Sequence, residues 1–382
     1  MLAAALLVAC GPLTAPRPDA GAGTGGGGSS GVGGGSTTGG GGATGGGGAT
    51  GGGGATGGGA GGGSLGGGSG GGAADAGDGI WDFSSVMMDP PPGNSGGIVG
   101  FAETAEGIYA VSGSGRVYRS TGAQFTELFA FPGLQPLDFE GSATGQFFII
   151  GTQVFLHCDA DCGDAGAWVE QPVGQSADVL DSLCVVDGSH VLAVGSRGGS
   201  NDGISFRWNG TMLSANAALL GVVHPDNCWK GAGGDFYIPA EDTVLRYSPG
   251  TGDLTLEPTS PMRAWRGGGS SPGHEWVTGL GPVIAERGAT SWTNVFTPSG
   301  SSGAAIVSVV GISPTLAFAF GGGPTSSGQA AYRFNGTTWA PLANDIPVMN
   351  VTFSTFRSAG GVIFVGGYDL NQYPAIVRGA RR

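Results

Sequence analysis

The chain has 382 residues, of which 84 are glycine and only 11% are charged, against about 7% Gly and about 25% charged in an ordinary globular domain. Net charge is −13, and Lys230 is the single lysine, which argues against nucleic acid or an anionic lipid surface as partner. No run of eighteen apolar residues occurs, so no segment reads as a membrane-spanning helix.

Residues 1–9 form an apolar start that ends Leu7-Val8-Ala9-Cys10-Gly11. An apolar run closing on small residues is the pattern of a secretory signal. The Cys after Leu-Val-Ala resembles the bacterial lipobox. The resemblance implies cleavage before Cys10 and acylation of its thiol, two or more acyl chains giving stable anchoring. Gly11, rather than Asp, after the Cys implies the outer membrane. The apolar run is short and no Lys or Arg precedes it, as a start codon placed too far downstream would leave it.

Residues 10–77 read as a disordered, low-complexity tether carrying the lipid. From Gly21 to Gly77, 35 of 57 residues are glycine, and the hexamer Gly-Gly-Gly-Gly-Ala-Thr repeats three times from Gly39 to Thr56. Such a stretch cannot bury enough apolar surface to offset chain entropy. As a flexible coil it spans roughly 45 Å in root mean square. Glycine patterns inside it are not phosphate loops, because no strand precedes them and no helix follows.

Residues 78–382 carry a repeat. Val117-Tyr118-Arg119-Ser120-Thr121-Gly122, Ser205-Phe206-Arg207-Trp208-Asn209-Gly210, Val244-Leu245-Arg246-Tyr247 before Ser248-Pro249-Gly250, Ala331-Tyr332-Arg333-Phe334-Asn335-Gly336 and Ala375-Ile376-Val377-Arg378-Gly379 are short alternating strands. Each has Arg at one register and runs into a turn, and Asn-Gly between apolar alternations is a strong hairpin signal. Further strands start with an aromatic, as at Phe125, Trp168, Trp292 and Trp339. Apolar runs closing on small residues come before the Arg strands, as in 107–113, 190–195, 315–323 and 361–367. The unit is four short strands, the period of a propeller blade. Blades are expected at 96–132, 133–174, 175–217, 218–259, 260–298, 299–344 and 345–382, an all-β, seven-bladed β-propeller with six or eight blades as alternatives. The last unit lacks a fourth strand, and the segment around Trp81 has the aromatic-first look of one. Pairing the two would close the ring and remove an open edge.

Val365-Gly366-Gly367 and Tyr332-Arg333-Phe334-Asn335-Gly336-Thr337-Thr338-Trp339 resemble kelch-type blades. They resemble still more the degenerate VWAVG-type repeats of bacterial surface lipoproteins. The resemblance implies a propeller over residues 79–382 and no particular function, because such folds host many.

The candidate chemistry is sparse. Arg119, Arg207, Arg246, Arg333 and Arg378 would suit an anion site of the kind sialidase-type propellers build, but one shared register spreads them around a ring. Cys162 to Trp168 resembles a sialidase Asp-box one residue short, with Cys in place of Ser or Thr. Asp159, Asp161 and Asp164 are candidate calcium ligands, the bland reading being a solvated hairpin tip. His157, His190, His224 and His274 fall in separate units and suggest no catalytic triad. Asn209, Asn335 and Asn350 match the glycosylation sequon, the first two being better explained as hairpin turns. Cys158, Cys162, Cys184 and Cys228 allow three pairings. The blade alignment puts Cys184 and Cys228 at the same register of neighbouring inner strands and so selects Cys184–Cys228 with Cys158–Cys162. Buried free thiols are the alternative. Glu103, Glu140, Asp181, Asp226 and Arg266 are placed to line a channel mouth.

The expectation is therefore a monomeric surface lipoprotein of the bacterial outer membrane, attached through lipid alone. Its propeller would bind or scaffold a protein or glycan of the envelope, without enzymatic activity and with no cofactor. The rival expectation is a calcium-dependent hydrolase or lyase acting at the propeller axis.

Overall fold

Period-two alternation of apolar residues, broken by Gly, Asn-Gly and Pro-Gly turns, makes strands and little else. The computed structural model describes residues 80–89, 96–174, 178–198, 202–216, 225, 227–231, 233–240, 243–257, 264–271, 274–279, 283–288, 291–297, 305–322, 330–342, 350–369 and 373–382. Residues 1–79, with Cys10 and the tether, lie outside them. Strand β1 is Trp81–Asp89. β2–β5 are Ile98–Thr104, Gly107–Ser112, Arg116–Ser120 and Gln124–Ala130, and β6–β9 are Pro136–Gly141, Phe147–Gly151, Val154–Cys158 and Val169–Pro172. β10–β13 are Asp178–Asp187, His190–Arg197, Gly203–Trp208 and Leu213–Ala215. β14–β17 are Trp229–Lys230, Phe236–Ala240, Thr243–Ser248 and Asp253–Leu256. β18–β21 are Ala264–Ser271, His274–Gly279, Ile284–Arg287 and Trp292–Phe296. β22–β25 are Ala305–Ser313, Leu316–Gly322, Ala330–Phe334 and Trp339–Pro341, and β26–β28 are Asn350–Arg357, Ile363–Tyr368 and Pro374–Arg381. Among the described residues the one helical turn is a 3₁₀ turn at Ala165–Ala167.

The fold is an all-β propeller. Strands β10–β13, β14–β17, β18–β21 and β22–β25 form four separate four-stranded sheets, each a meander in chain order. These sheets fall inside the units expected at 175–217, 218–259, 260–298 and 299–344. The other twelve strands form one continuous sheet, in the order β26-β27-β28-β1-β5-β4-β3-β2-β6-β7-β8-β9.

The expected seam is present inside that sheet. β1 runs antiparallel to β28, with Trp81 opposite Arg381, Phe83 opposite Gly379 and Val86 opposite Ile376. The Arg382 N–H donates to the Ile80 carbonyl at 2.9 Å, and Arg382 forms an ion pair with Asp82. Gly379 makes the seam possible, since a Cβ there would lie 2.4 Å from the Phe83 ring. Trp81 and Phe83 are both buried against Phe318, at centroid distances of 5.0 and 5.5 Å. The closing strand is thus held by backbone pairing and by aromatic burial on β23. Past Val86, β1 leaves β28 and pairs in parallel with β5, Met87 opposite Gln124.

Because strand side chains alternate, each blade presents one apolar set to the blade before it and another to the blade after it. Leu183 packs with Phe148, Ile150 and Phe155 of β7 and β8. Its neighbour Cys184 packs with Cys228, Phe236 and Ile238 of the β14–β17 sheet. Fully burying one such Phe or Leu contributes roughly 1.5–3 kcal/mol.

Both cysteine pairs are disulfide-bonded, Cys158–Cys162 and Cys184–Cys228. One detail of the expected register is corrected. The Leu183 N–H donates to Asp138 one strand back, and the Cys228 N–H donates to Ser182 in the same way, so Cys228 is level with Leu183 and not with Cys184. Residues level with each other face the same way around the ring, and two that face each other must be one step apart. Cys184 faces forward and Cys228 faces back.

The Cys184–Cys228 bond closes a long loop between two sheets, and loop-closure entropy assigns such a bond about 4 kcal/mol. Denaturant unfolding of the Cys184→Ala/Cys228→Ala variant should show a loss of about that size, and wild-type protein unfolded with reductant should lose more, because Cys158–Cys162 opens too.

Candidate functional site

Inner strands β2, β6, β10, β18 and β22 share a register shift, between Ile98 and Gly100, Pro136 and Asp138, Leu180 and Ser182, Ala264 and Arg266, and Ile306 and Ser308. A bulge re-aims the side chain that follows it. Here that side chain is Asp138, Ser182, Arg266 or Ser308, and in β2 it is Gly100. Gly100 has no room for a side chain, since a Cβ would lie 2.0 Å from the Phe139 carbonyl oxygen.

Asp138 is almost wholly buried, and its carboxylate joins two inner strands. Oδ2 accepts from Ser182 Oγ at 3.0 Å and from the Leu183 N–H at 2.8 Å, while Oδ1 accepts from the Phe139 N–H at 2.8 Å. Ser182 Oγ in turn accepts from the Cys228 N–H at 3.1 Å, so one chain of hydrogen bonds runs through three inner strands. Glu140 repeats the device two residues on, with Oε2 accepting from the Val185 N–H at 3.1 Å. Its Oε1 lies 3.9 Å from Arg266 Nη2 of β18. Glu103 accepts from the Ala359 N–H at 2.6 Å, and Ser308 and Thr355 share a hydrogen bond of 2.6 Å.

Burial raises the Asp138 carboxyl above the usual range, with Arg266 and its donors pulling it back. Burial, reinforced by the Asp138 charge, pushes Glu140 up to about 8 against the opposing pull of Arg266, the Val185 N–H and Lys230. Both Asp138 oxygens and Glu140 Oε2 are engaged in holding strands together.

A cleft of about 400 Å³ opens elsewhere, at the turns between β2 and β3 and between β6 and β7 and at the loop that follows β8. Tyr109 and Phe147 form its aromatic side, their rings 4.8 Å apart. Tyr109 donates to Glu106 Oε2 at 2.9 Å, and burial together with that carboxylate raises the Tyr109 hydroxyl above its usual range. Asp159, Asp161 and Cys162 also line it. The loop is fixed by the Cys158–Cys162 bond and by Asp164, whose side chain caps the 3₁₀ turn by accepting from the Gly166 N–H at 2.9 Å. Trp168 Nε1 donates to the Cys162 carbonyl at 3.2 Å and ties down the loop's far end.

The other candidates do not converge. The recurring arginines lie on β4, β12, β16, β24 and β28, separate strands with local partners where a partner is resolved. Arg119 meets Glu106, Arg207 donates to the Pro249 carbonyl, and Arg246 meets Asp235. Asp164 caps a turn through Oδ1. Among the described residues, no group of three His, Cys, Asp or Glu side chains is placed to hold a metal. His157 packs on Trp208, while His190 and His274 lie beside Asp187 and Glu286. Asn209 and Asn335 accept from the backbone N–H groups of their own turns, as expected of hairpin residues. Asp181 lies within the β10 bulge. Asp226, His224 and the Asn350 side chain lie outside the described residues.

Sequence reading missed Asp138, Glu106 and Tyr109. The first was visible as an acid two residues before Glu140 in an apolar strand, which puts both on one side. The other two become neighbours of Asp159 only through sheet packing.

Neither a family model nor a curated protein matches the sequence. Solved structures do match the fold. A streptogramin B lyase structure superposes with TM-score 0.61 at 11% identity, covering 79% of this chain and 98% of that one. YCF48 bound to D1 peptide gives 0.60 at 15% identity, covering 79% and 97%. The extracellular domain of a putative hybrid two-component system from B. thetaiotaomicron gives 0.56 at 10% identity, covering 78% of this chain and 40% of that one. At these identities the likeness shows the propeller fold alone.

The Glu140 carboxyl predicts a pH dependence. Its folded value, about 8, lies above its ordinary 4.5, so between the two the folded chain holds a proton that the unfolded chain has released. Stability on this account is highest below pH 4.5 and falls as pH rises toward 8. Thermal melts of Glu140→Gln, compared with wild type from pH 5 to pH 8.5, should show a flatter decline in Tm.

Proposed function

We propose that this chain is a protein-binding module of the bacterial cell envelope, presented on a tether and recognising its partner at the cleft between the β2–β5 and β6–β9 strands. The cleft carries this reading: it is of ligand size, is lined by Glu106, Asp159 and Asp161 with Tyr109 and Phe147, and its wall is fixed by a disulfide. Two neighbours of the fold are in keeping with it, one solved with a peptide bound and one an extracellular domain.

The finer architecture belongs to the same reading. The twelve-stranded sheet divides at the parallel β1–β5 and β2–β6 contacts into three further four-stranded blades, which makes seven. Contacts between successive inner strands, β2, β6, β10, β14, β18, β22, β26 and back to β2, support that count. The repeats are of the degenerate kelch-like kind, and the propeller occupies residues 78–382. Residues 1–9 are a lipoprotein signal peptide, Cys10 carries the lipid, and residues 10–77 hold the monomeric body away from the outer membrane.

Two experiments test this. Cys10→Ala should move the protein from the membrane fraction to the soluble periplasmic fraction, and an unchanged distribution would remove the anchor. A photo-crosslinking amino acid replacing Ala160, beside the cleft, should give a light-dependent adduct with an envelope protein on intact cells, while one replacing the exposed Leu256 of β17 should not. The same result at both positions, or no adduct at either, rejects the cleft as the binding face.

A further inference from the structure

The strand pairs β8–β9, β12–β13, β16–β17 and β24–β25 run without a register shift, whereas β4–β5 and β20–β21 share one. In β5, Glu127 lies opposite Tyr118 and Phe129 opposite Val117, which leaves Leu128 as the extra residue. In β21, Asn294 lies opposite Ala285 and Phe296 opposite Ile284, which leaves Val295. Aligned on that bulge, Gln124-Phe125-Thr126-Glu127-Leu128-Phe129 matches Ser291-Trp292-Thr293-Asn294-Val295-Phe296. An aromatic, a threonine, a polar residue, an aliphatic residue and a phenylalanine recur in the same order. The edge of β21 therefore repeats the edge of β5.

On β5 that edge is occupied. Met87-Met88-Asp89 of β1 runs parallel to Gln124–Thr126 with Met88 opposite Phe125, and Met88 packs against the apolar set that includes Phe125. The bulge at Leu128 follows this stretch and does not interrupt it. The Thr121 N–H donates to the Gln124 carbonyl at 2.9 Å, so alternation turns the backbone groups of the next residue, Phe125, away from β4 and toward β1. The Gly288 N–H donates to the Ser291 carbonyl at 2.8 Å, which turns those of Trp292 away from β20 in the same way. β21 is an end strand of its sheet, so no strand meets them. Burial follows the difference: Thr126, Glu127 and Leu128 are half-buried, whereas Thr293, Asn294 and Val295 are exposed.

Open edges invite pairing, and proteins blunt them with charge, proline or short strands. β9 carries Glu170 and ends at Pro172, β17 begins at Asp253, and β13 and β25 have three residues each. β21 has five residues, without charge or proline. We propose that β21 is a docking edge that takes an extended apolar segment of a protein partner as a parallel fifth strand. An apolar side chain of that segment lies opposite Trp292, as Met88 lies opposite Phe125. In this mode main-chain hydrogen bonds supply affinity and alternate side chains select the sequence. The edge shares no residue with the cleft, so it goes beyond the reading above and stands or falls separately.

The test titrates the full, isotopically labelled chain with the blocked peptide acetyl-Ser-Val-Met-Met-Asp-amide, the sequence of residues 85–89, followed by amide NMR. Saturable shifts should appear at Trp292, Thr293 and Asn294. Methylating the backbone nitrogen of the peptide's Asp, which a parallel ladder bonds to the Trp292 carbonyl, should weaken binding about fivefold. Replacing its second Met with Ala should weaken it about threefold or more. Asn294→Pro removes an outward N–H from the edge and should weaken the unmodified peptide too. Should that variant fail to fold, the methylated peptide tests the same ladder on the unaltered protein. No saturable shift, shifts confined to Gln124–Thr126 through exchange at the seam, or equal affinity for the three peptides overturns the proposal. A dimer in sedimentation that Asn294→Pro dissolves gives the edge to a second copy of this chain and overturns it too. None of these outcomes alters the cross-link expected from position 160.

Discussion

The pairing of β1 with β28 is the constraint on which the rest of the fold depends. A propeller blade needs four strands, and the C-terminal sheet has three of its own. Without β1 the outer edge of β28 would expose unpaired N–H and C=O groups, a template for aggregation. Six backbone pairs from Trp81 to Val86 remove that edge. Trp81 and Phe83 then bring aromatic surface to Phe318 and Phe320 of β23, so the seam is packed as part of the apolar core. The continuation of β1 onto β5 fixes its other end.

Within the ring, sheets adhere through two kinds of contact with different demands. Apolar sets between neighbouring sheets are non-directional and tolerate the divergence visible among the repeats. The polar contacts near the inner strands are directional, each carboxylate or hydroxyl reaching a backbone N–H of the next strand. Asp138, Glu140 and Ser182 work in this way, while Glu103 reaches back to the Ala359 N–H in the turn after β26. That explains why so many polar groups near the axis coexist with so little evident chemistry. Most of their acceptors serve the strands, and what remains is the proton balance of Asp138 and Glu140 opposite Arg266.

Much of the fold was legible because strand alternation and turn residues are local signals. Asn209-Gly210 and Asn335-Gly336 announced hairpins, and the missing fourth strand after Arg378 pointed to the segment around Trp81. The cysteine pairs followed from the same alignment, but the one-residue offset between Cys184 and Cys228 did not. Alignment compares positions, whereas a bond between sheets depends on which way a side chain faces. The cleft was illegible for a related reason. Glu106, Tyr109, Thr144 and Asp161 belong to four separate strands or turns, and only the packing of one sheet on the next gathers them. Asp159 and Asp161 were noticed as acids of a solvated hairpin tip or as candidate calcium ligands, because sequence shows neighbours along the chain and not across it. Sequence likewise could not show that Arg287 lies over Tyr237.

The 2.9 Å hydrogen bond from Arg382 to Ile80 also means that Arg382 adjoins the residue that leads into β1. A ring with touching ends has no topological beginning. The order in which the sheets are translated is one of several that would produce the same set of neighbours, and a peptide bond made at the seam and broken at an exposed turn would preserve every strand pairing. The position of the break decides which turn carries the two free ends, and so from where any added segment would leave the sheets.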